Sequence, residues 1–284
     1  MTAVSDCALA RLQKTAHLTV HSAYRNTVNL MTDDGLVALQ TAGSPRSPLS
    51  VILPVDTAGM GTFAEEAKDG VEAAPNGSIH TARGGFVCAV RSGQTEVYPC
   101  AVPRIPREST AALHAAAMAI LQAAGPRGLA ALYAPGEGDL VITATRGFLT
   151  EAHTALAAGK PAEAAGVLLR LCGLGGGLTP AGDDFLCGAA AAITAFGLQE
   201  APFGSALLSG IRESLSRTND ISAAFLSCAA EGLASEAVLT FFDTAHPHTP
   251  GELSEKFLAI GHSSGIDSLC GIACVLSYIK EEWL

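Results

Sequence analysis

Val102-Pro103-Arg104-Ile105-Pro106-Arg107, followed by Ser109-Thr110 and an alanine-rich run to Ala124, divides the chain into two kinds of sequence. Closely spaced prolines resist both helix and ladder, so this stretch reads as a linker. Before it, short apolar or alternating runs over 18–20, 27–31, 36–39, 51–53, 85–90 and 95–98 predict strands. They are separated by the turn signals Asp33-Asp34-Gly35, Gly43-Ser44-Pro45 and Ser92-Gly93, and Asp34-Gly35 suits a hairpin. Residues 56–78 are glycine-bearing and read as loop or short helix. After the linker, Ser109 or Thr110 can cap a helix over 111–124 that Gly125-Pro126 ends. Further helices are expected over 148–158, 162–171, 180–196, 206–217, 221–230, 254–260 and 267–280, with a strand over 139–145. The predicted architecture is α+β: a small β-rich domain over 1–105, then a mainly α-helical domain over 106–284.

Composition narrows the function. The 284 residues are 49% hydrophobic and 15% charged, too apolar for disorder, and 5% aromatic, so small aliphatics carry the core. A net charge of −10 without a Lys/Arg run argues against nucleic acid, whose affinity comes mainly from neutralised phosphates. The uncharged stretch 185–199 falls short of the ~20 apolar residues that a spanning helix needs. The first residues, with Asp6, Arg11 and Lys14, show no apolar signal-peptide core. The 8 scattered cysteines lack the spacing of a small disulfide framework, so reduced thiols and a cytoplasmic protein are expected.

The chemistry concentrates in Gly173-Leu174-Gly175-Gly176-Gly177-Leu178-Thr179-Pro180-Ala181-Gly182-Asp183-Asp184-Phe185-Leu186-Cys187-Gly188. Thr179 fits an N-cap and Pro180 the first helical position, and free amides there would hold an anion. Asp183 and Asp184 in the first turn would repel a bare phosphate unless Mg²⁺ bridges them or a strongly cationic substrate partner offsets them. The alternative is a plain helix start whose carboxylates complement the dipole. Gly265-Ile266-Asp267-Ser268-Leu269-Cys270-Gly271 repeats the pattern G-x-D-x-L-C-G found at 182–188. Two quasi-equivalent helix starts facing one pocket would explain the repeat.

The candidate catalytic residues are therefore Asp183, Asp184 and Asp267, which would also be the ligands if Mg²⁺ is used. The candidate substrate-binding residues are Gly175, Gly176, Gly177, Thr179, Asn219, His262, Ser263 and Ser264. For Asn219, simple helix capping is the competing account. Gly261-His262-Ser263-Ser264-Gly265 also matches a G-x-S-x-G nucleophile elbow, but no histidine follows His262 to complete the triad order. Cys270 and Cys274 share a helix face without a paired CxxC, which leaves zinc unsupported.

The loop 173–188 resembles the signature G-L-G-P-G-L-T-P-S-G-D-D-F-L-x-G of the AllH-like proteins (the DUF2877 family), with Gly176 in place of proline and Ala181 in place of serine. Val20-His21-Ser22-Ala23-Tyr24-Arg25 with Val28-Asn29-Leu30 is similar to that family's opening block. Arg217-Thr218 with Ile221-Ser222, and the stretch from Gly261 to Gly271, resemble two later blocks. The resemblance implies a subunit of the oxamate carbamoyltransferase complex of anaerobic allantoin degradation, a branch of purine catabolism. It implies work on oxalurate, phosphate, oxamate and carbamoyl phosphate beside an FdrA-type subunit and a third protein. Alternatives are a non-catalytic assembly subunit and a stand-alone Mg²⁺-dependent hydrolase.

Overall fold

The computed structural model describes residues 1–15, 18–73, 78–81, 87–89, 93, 95–134 and 138–281. It separates into two units, Met1–Cys100 and Ala101–Leu284. The first is a mixed sheet with flanking helices, and the second is predominantly helical.

In the first unit, strands β1 (Thr2–Ser5), β2 (Thr19–Ala23), β3 (Thr27–Thr32), β4 (Gly35–Gln40) and β5 (Ser50–Ile52) are joined in one sheet by β9 (Thr95–Tyr98). The order is β2-β3-β4-β5-β1-β9, antiparallel through β2, β3 and β4 and parallel between β4 and β5 and between β1 and β9. The expected hairpin turn falls one residue earlier than Asp34-Gly35, because Gly35 already pairs with Thr32. That leaves Asp33-Asp34 as the two-residue loop.

Helices α1 (Asp6–Lys14) and α2 (Thr57–Ala67) are each capped by a side chain, Ser5 accepting from Ala8 N–H at 2.8 Å and Asp56 from Gly59 N–H at 2.9 Å. Val4, Leu30, Leu39, Val51, Met60 and Phe63 make this unit's core. A second, antiparallel sheet runs β6 (Val71–Ala73), β7 (Ser78–Thr81) and β8 (Val87–Ala89). The remainder of the strand expected over 85–90, and Ser92 of the expected turn, lie outside the described residues.

The second unit contains α3 (Thr110–Ala124), α4 (Leu140–Ala157), α5 (Pro161–Leu168), α6 (Ala181–Ala195), α7 (Pro202–Glu213), α8 (Asp220–Ala230), α9 (Glu236–Phe241), α10 (Pro250–Leu258) and α11 (Ser264–Lys280). The strand expected over 139–145 is instead the first turns of α4. Its β-branched residues suggest a strand, but Asp139 caps Ile142 N–H at 2.9 Å and Thr145 returns its hydroxyl to the Val141 carbonyl at 2.8 Å.

Helices α6 and α11 form the centre. From Gly182 to Ala195 every residue of α6 is buried except Cys187, and α11 is buried along most of its length. Helices α7 and α8 pack on α6, and α3 and α10 pack on α11. No helix among the described residues is long and apolar enough to cross a membrane. Cys7, Cys100, Cys172, Cys187, Cys228, Cys270 and Cys274 form no disulfide.

Candidate functional site

The repeated G-x-D-x-L-C-G pattern first does a packing job. A Cβ on Gly188 would fall on the carbonyl of Ser268, and one on Gly271 would fall on the carbonyl of Phe185. Each pattern's last glycine therefore meets the fourth position of the other, so α6 and α11 cross as quasi-equivalent partners with backbones in contact. The first glycines act alike too: Gly182 backs onto the Leu171 carbonyl and Gly265 onto the Phe257 carbonyl. Leu186 and Leu269 are fully buried beneath the crossing.

This crossing brings the two helix starts together. Thr179 Oγ1 and Ser264 Oγ lie 2.8 Å apart and share a hydrogen bond. Pro180 rather than Thr179 is the N-cap of α6, with φ −52° and ψ 141°. The ring fixes Pro180 in an extended conformation just before the helix, which leaves the Thr179 hydroxyl to reach across to α11. Three N–H groups at this start are not free for an anion. Gly182 N–H donates to Leu174 O at 2.9 Å, and the Asp183 and Asp184 amides donate to Pro180 O at 2.9 and 3.2 Å. Beyond them, Gly176, Gly177 and Leu178 form an exposed loop tip, while Gly175 is half-buried.

The three aspartates have different surroundings. Asp183, 1% exposed, accepts at Oδ1 from Gly173 N–H at 2.7 Å and at Oδ2 from the hydroxyls of Thr218 and Ser222, the latter at 2.7 Å. It pins the glycine loop to the segment before α8. Asp184 is 9% and Asp267 1% exposed, and each retains an Oδ2 with no hydrogen-bond partner among the described residues. Burial pushes the Asp184 carboxyl well above its ordinary range; the Ser264 hydroxyl acts against this, and the charge of Asp267 adds to it. Burial likewise raises Asp267 from 3.8 to about 6, opposed by Leu129 N–H, which donates to its Oδ1 at 2.6 Å, and by the Ser263 hydroxyl.

The start of the 3₁₀ helix Gly128–Tyr133, at Gly128-Leu129, is a part of the site that sequence reasoning missed. Gly128 sits at φ +53°, and a Cβ there would run into both the Asp267 carboxylate and Ser263. Only glycine allows that backbone to close over Asp267. The cue in the sequence is slight: a second glycine two residues after Gly125-Pro126.

Of the remaining candidates, Ser263 and Ser264 face the two orphaned carboxylates, and His262 is exposed on the turn before α11. Asn219 is the N-cap of α8, its Oδ1 accepting from the Ile221 and Ser222 amides at 3.1 Å each, so capping accounts for it. The Mg²⁺ set also fails to assemble. Among the described residues no group of three His, Cys, Asp or Glu side chains is placed to hold a metal ion, and both Asp183 oxygens already accept from the protein. A cavity of about 450 Å³ opens at the opposite end of α6, beside Thr194, Arg212 and Glu231; Arg212 there donates to the Ala230 carbonyl at 2.5 Å.

Two buried carboxylates with unused oxygens thus lie at joined hydroxyls, an arrangement whose free oxygens can accept hydrogen bonds. Two family models match the chain. One, described as oxamate carbamoyltransferase subunit AllH, covers residues 171–276, and the other, described as the AllH family N-terminal domain, covers residues 2–93. No curated protein and no solved structure matches it.

Proposed function

Because the chain belongs to the AllH family, we propose that it is the substrate-binding subunit of a cytoplasmic oxamate carbamoyltransferase-like complex, acting beside an FdrA-type subunit and a third protein. The reaction would interconvert oxalurate and phosphate with oxamate and carbamoyl phosphate, within allantoin and purine catabolism. The observation that carries the reading is the pair Asp184 and Asp267, each buried with an unpartnered oxygen at joined helix starts.

Unpartnered buried acceptors are costly to keep, and a ligand bearing N–H groups would satisfy them. A carbamoyl group is such a ligand. In the phosphorolytic direction a phosphate oxygen attacks the ureido carbonyl, charge develops on the carbonyl oxygen, and the C–N bond to the oxamate nitrogen then breaks as that nitrogen takes up the phosphate's proton, leaving carbamoyl phosphate and oxamate. The imidazole of His262, exposed on the turn before α11, is a donor able to meet it, since the Thr179, Ser263 and Ser264 hydroxyls are engaged with one another and with the two carboxylates.

Asp184→Asn keeps the shape and removes the charge. The assembled complex carrying it should fold normally and lose about ten- to a hundredfold in oxalurate phosphorolysis, the worth of one charge-assisted hydrogen bond of ~1.5–3 kcal/mol made in the transition state. The competing assembly role draws on Leu178, 47% exposed at the loop tip beside the site. A complex in which Asp184→Asn and Asp267→Asn both retain full activity would leave that role alone standing.

A further inference from the structure

We propose that the cavity of about 450 Å³ at the far end of α6 is a second small-molecule site, and that it takes a free α-amino acid, with the carboxylate at Arg212 and the ammonium at Glu200 and Glu231. Asp184 and Thr194 lie near opposite ends of α6, about 15 Å of helix apart, so this site does not depend on the functional reading above.

One wall of the cavity is a face of α7. Ser205, Leu208, Ser209 and Arg212 follow the spacing i, i+3, i+4, i+7 and line the cavity together, while Phe203, Leu207 and Ile211 are buried in the core. A second wall is the end of α8, at Ala230 and Gly232, where Val102 N–H holds the Gly232 carbonyl at 2.9 Å.

Two donors meet at this second wall. Arg212 Nη2 donates to the Ala230 carbonyl at 2.5 Å. Capping of α8 accounts for that bond, yet a guanidinium carries five N–H groups in a planar fork, and Arg212 has no carboxylate partner among the described residues. Thr194, only 9% exposed, stands against Gly232, where an added Cβ would lie 3.6 Å from its Oγ1. The Thr194 hydroxyl lines the cavity and makes no hydrogen bond among the described residues. A polar group so deeply buried calls for a partner, and the cavity is where one can enter.

The charges then select the ligand. Guanidinium and hydroxyl together suit a carboxylate, which the guanidinium can hold through two N–H groups. Glu200 and Glu231 line the same cavity, and neither forms an ion pair among the described residues. They would repel a second negative charge, which disfavours a phosphate or a dicarboxylate, and they would attract an ammonium. A metal ion is disfavoured by Arg212, and no three His, Cys, Asp or Glu side chains among the described residues are placed to hold one. One carboxylate and one ammonium on a small molecule satisfy both sides, and the volume is in the range of small-ligand pockets.

Isothermal titration of the full chain with each standard L-amino acid in turn tests the proposal. At least one should bind saturably, one per chain. Its amide, which lacks the carboxylate, and its 2-hydroxy acid, which lacks the ammonium, should each bind about tenfold more weakly or worse. Thr194→Val keeps the shape without the hydroxyl and should weaken binding about three- to tenfold, and Arg212→Gln about ten- to a hundredfold. Failure of every amino acid to bind would overturn the proposal, as would undiminished binding of the amide or the 2-hydroxy acid. Full affinity in both variants would place the ligand elsewhere and overturn it too. The analogue comparison uses the wild-type chain, so it decides the ligand class even if a variant fails to fold.

Discussion

Gly271→Ala should strongly destabilise the helical unit, although it adds only one methyl group. The new Cβ would fall on the Phe185 carbonyl, and in Gly188→Ala it would fall on the Ser268 carbonyl. Neither obstacle is a side chain that can turn aside, so the helices must separate and lose contact along their shared apolar face. We expect a cost of about 3 kcal/mol or more, at the upper end for overpacking, after the gain of roughly 1 kcal/mol that alanine brings to a helix interior. Gly166→Ala is the control. Nothing lies within 4 Å of its added Cβ, on an exposed position of α5, and it should stabilise by up to about 1 kcal/mol. Denaturant titration of the three variants checks the expectation, and a neutral Gly271→Ala would refute the backbone-contact crossing. The same variant should also impair substrate binding, because the crossing sets the positions of Asp184 and Asp267.

This crossing explains how one sequence pattern is visible and yet easy to misread. The repeat of glycine, aspartate, leucine, cysteine and glycine marks two related helix starts. Its glycines suggest ligand approach, but Gly182, Gly188, Gly265 and Gly271 all face protein carbonyls instead. Glycine has the same local signature whether the close neighbour is a ligand or another helix. The aspartates divide by a similar rule. Adjacent in sequence, Asp183 and Asp184 point to different environments because successive helix positions lie about 100° apart.

Legibility follows the range of the interaction. The runs over 27–31 and 36–39 are readable as strands because burial of their apolar side chains and a two-residue turn are local matters. Strand β1 is not, although it lies between β5 and β9 in the sheet. Four residues leading straight into α1 offer too short a pattern, and the pairing is supplied by distant partners, at Ile52 and Thr95. The 139–145 segment fails in the opposite sense, since β-branched residues read as strand while a single aspartate cap and tertiary packing hold them helical. The Gly128-Leu129 contribution depends on a hydrogen bond spanning 138 residues, and no local pattern encodes that.

Asp267→Asn should make the protein more stable at neutral pH, even as it damages function. Burial raises this carboxyl from 3.8 to about 6, so the folded state binds the proton more tightly than the unfolded chain does. Folding is therefore unpenalised by this group below about 3.8, loses stability as pH rises from there to about 6, and carries the full cost above it. A shift of this size is worth on the order of 2–3 kcal/mol. Asparagine is isosteric, keeps an oxygen for Leu129 N–H and has no charge to desolvate. Its unfolding midpoint should rise by about 5–10 °C at about pH 7.5, given that 1 kcal/mol moves a unit of this size by a few degrees. The advantage should shrink as pH falls through about 6 and vanish near 3.8, the two ends of the carboxyl's shift. Thermal unfolding of both proteins across that range tests it. A gain independent of pH would mean that the carboxylate is not the source of the cost, whereas a loss of stability at every pH would mean that the charge is compensated in the folded protein. A stability gain joined to lost oxamate binding would identify Asp267 as a residue whose buried charge the fold tolerates for its ligand.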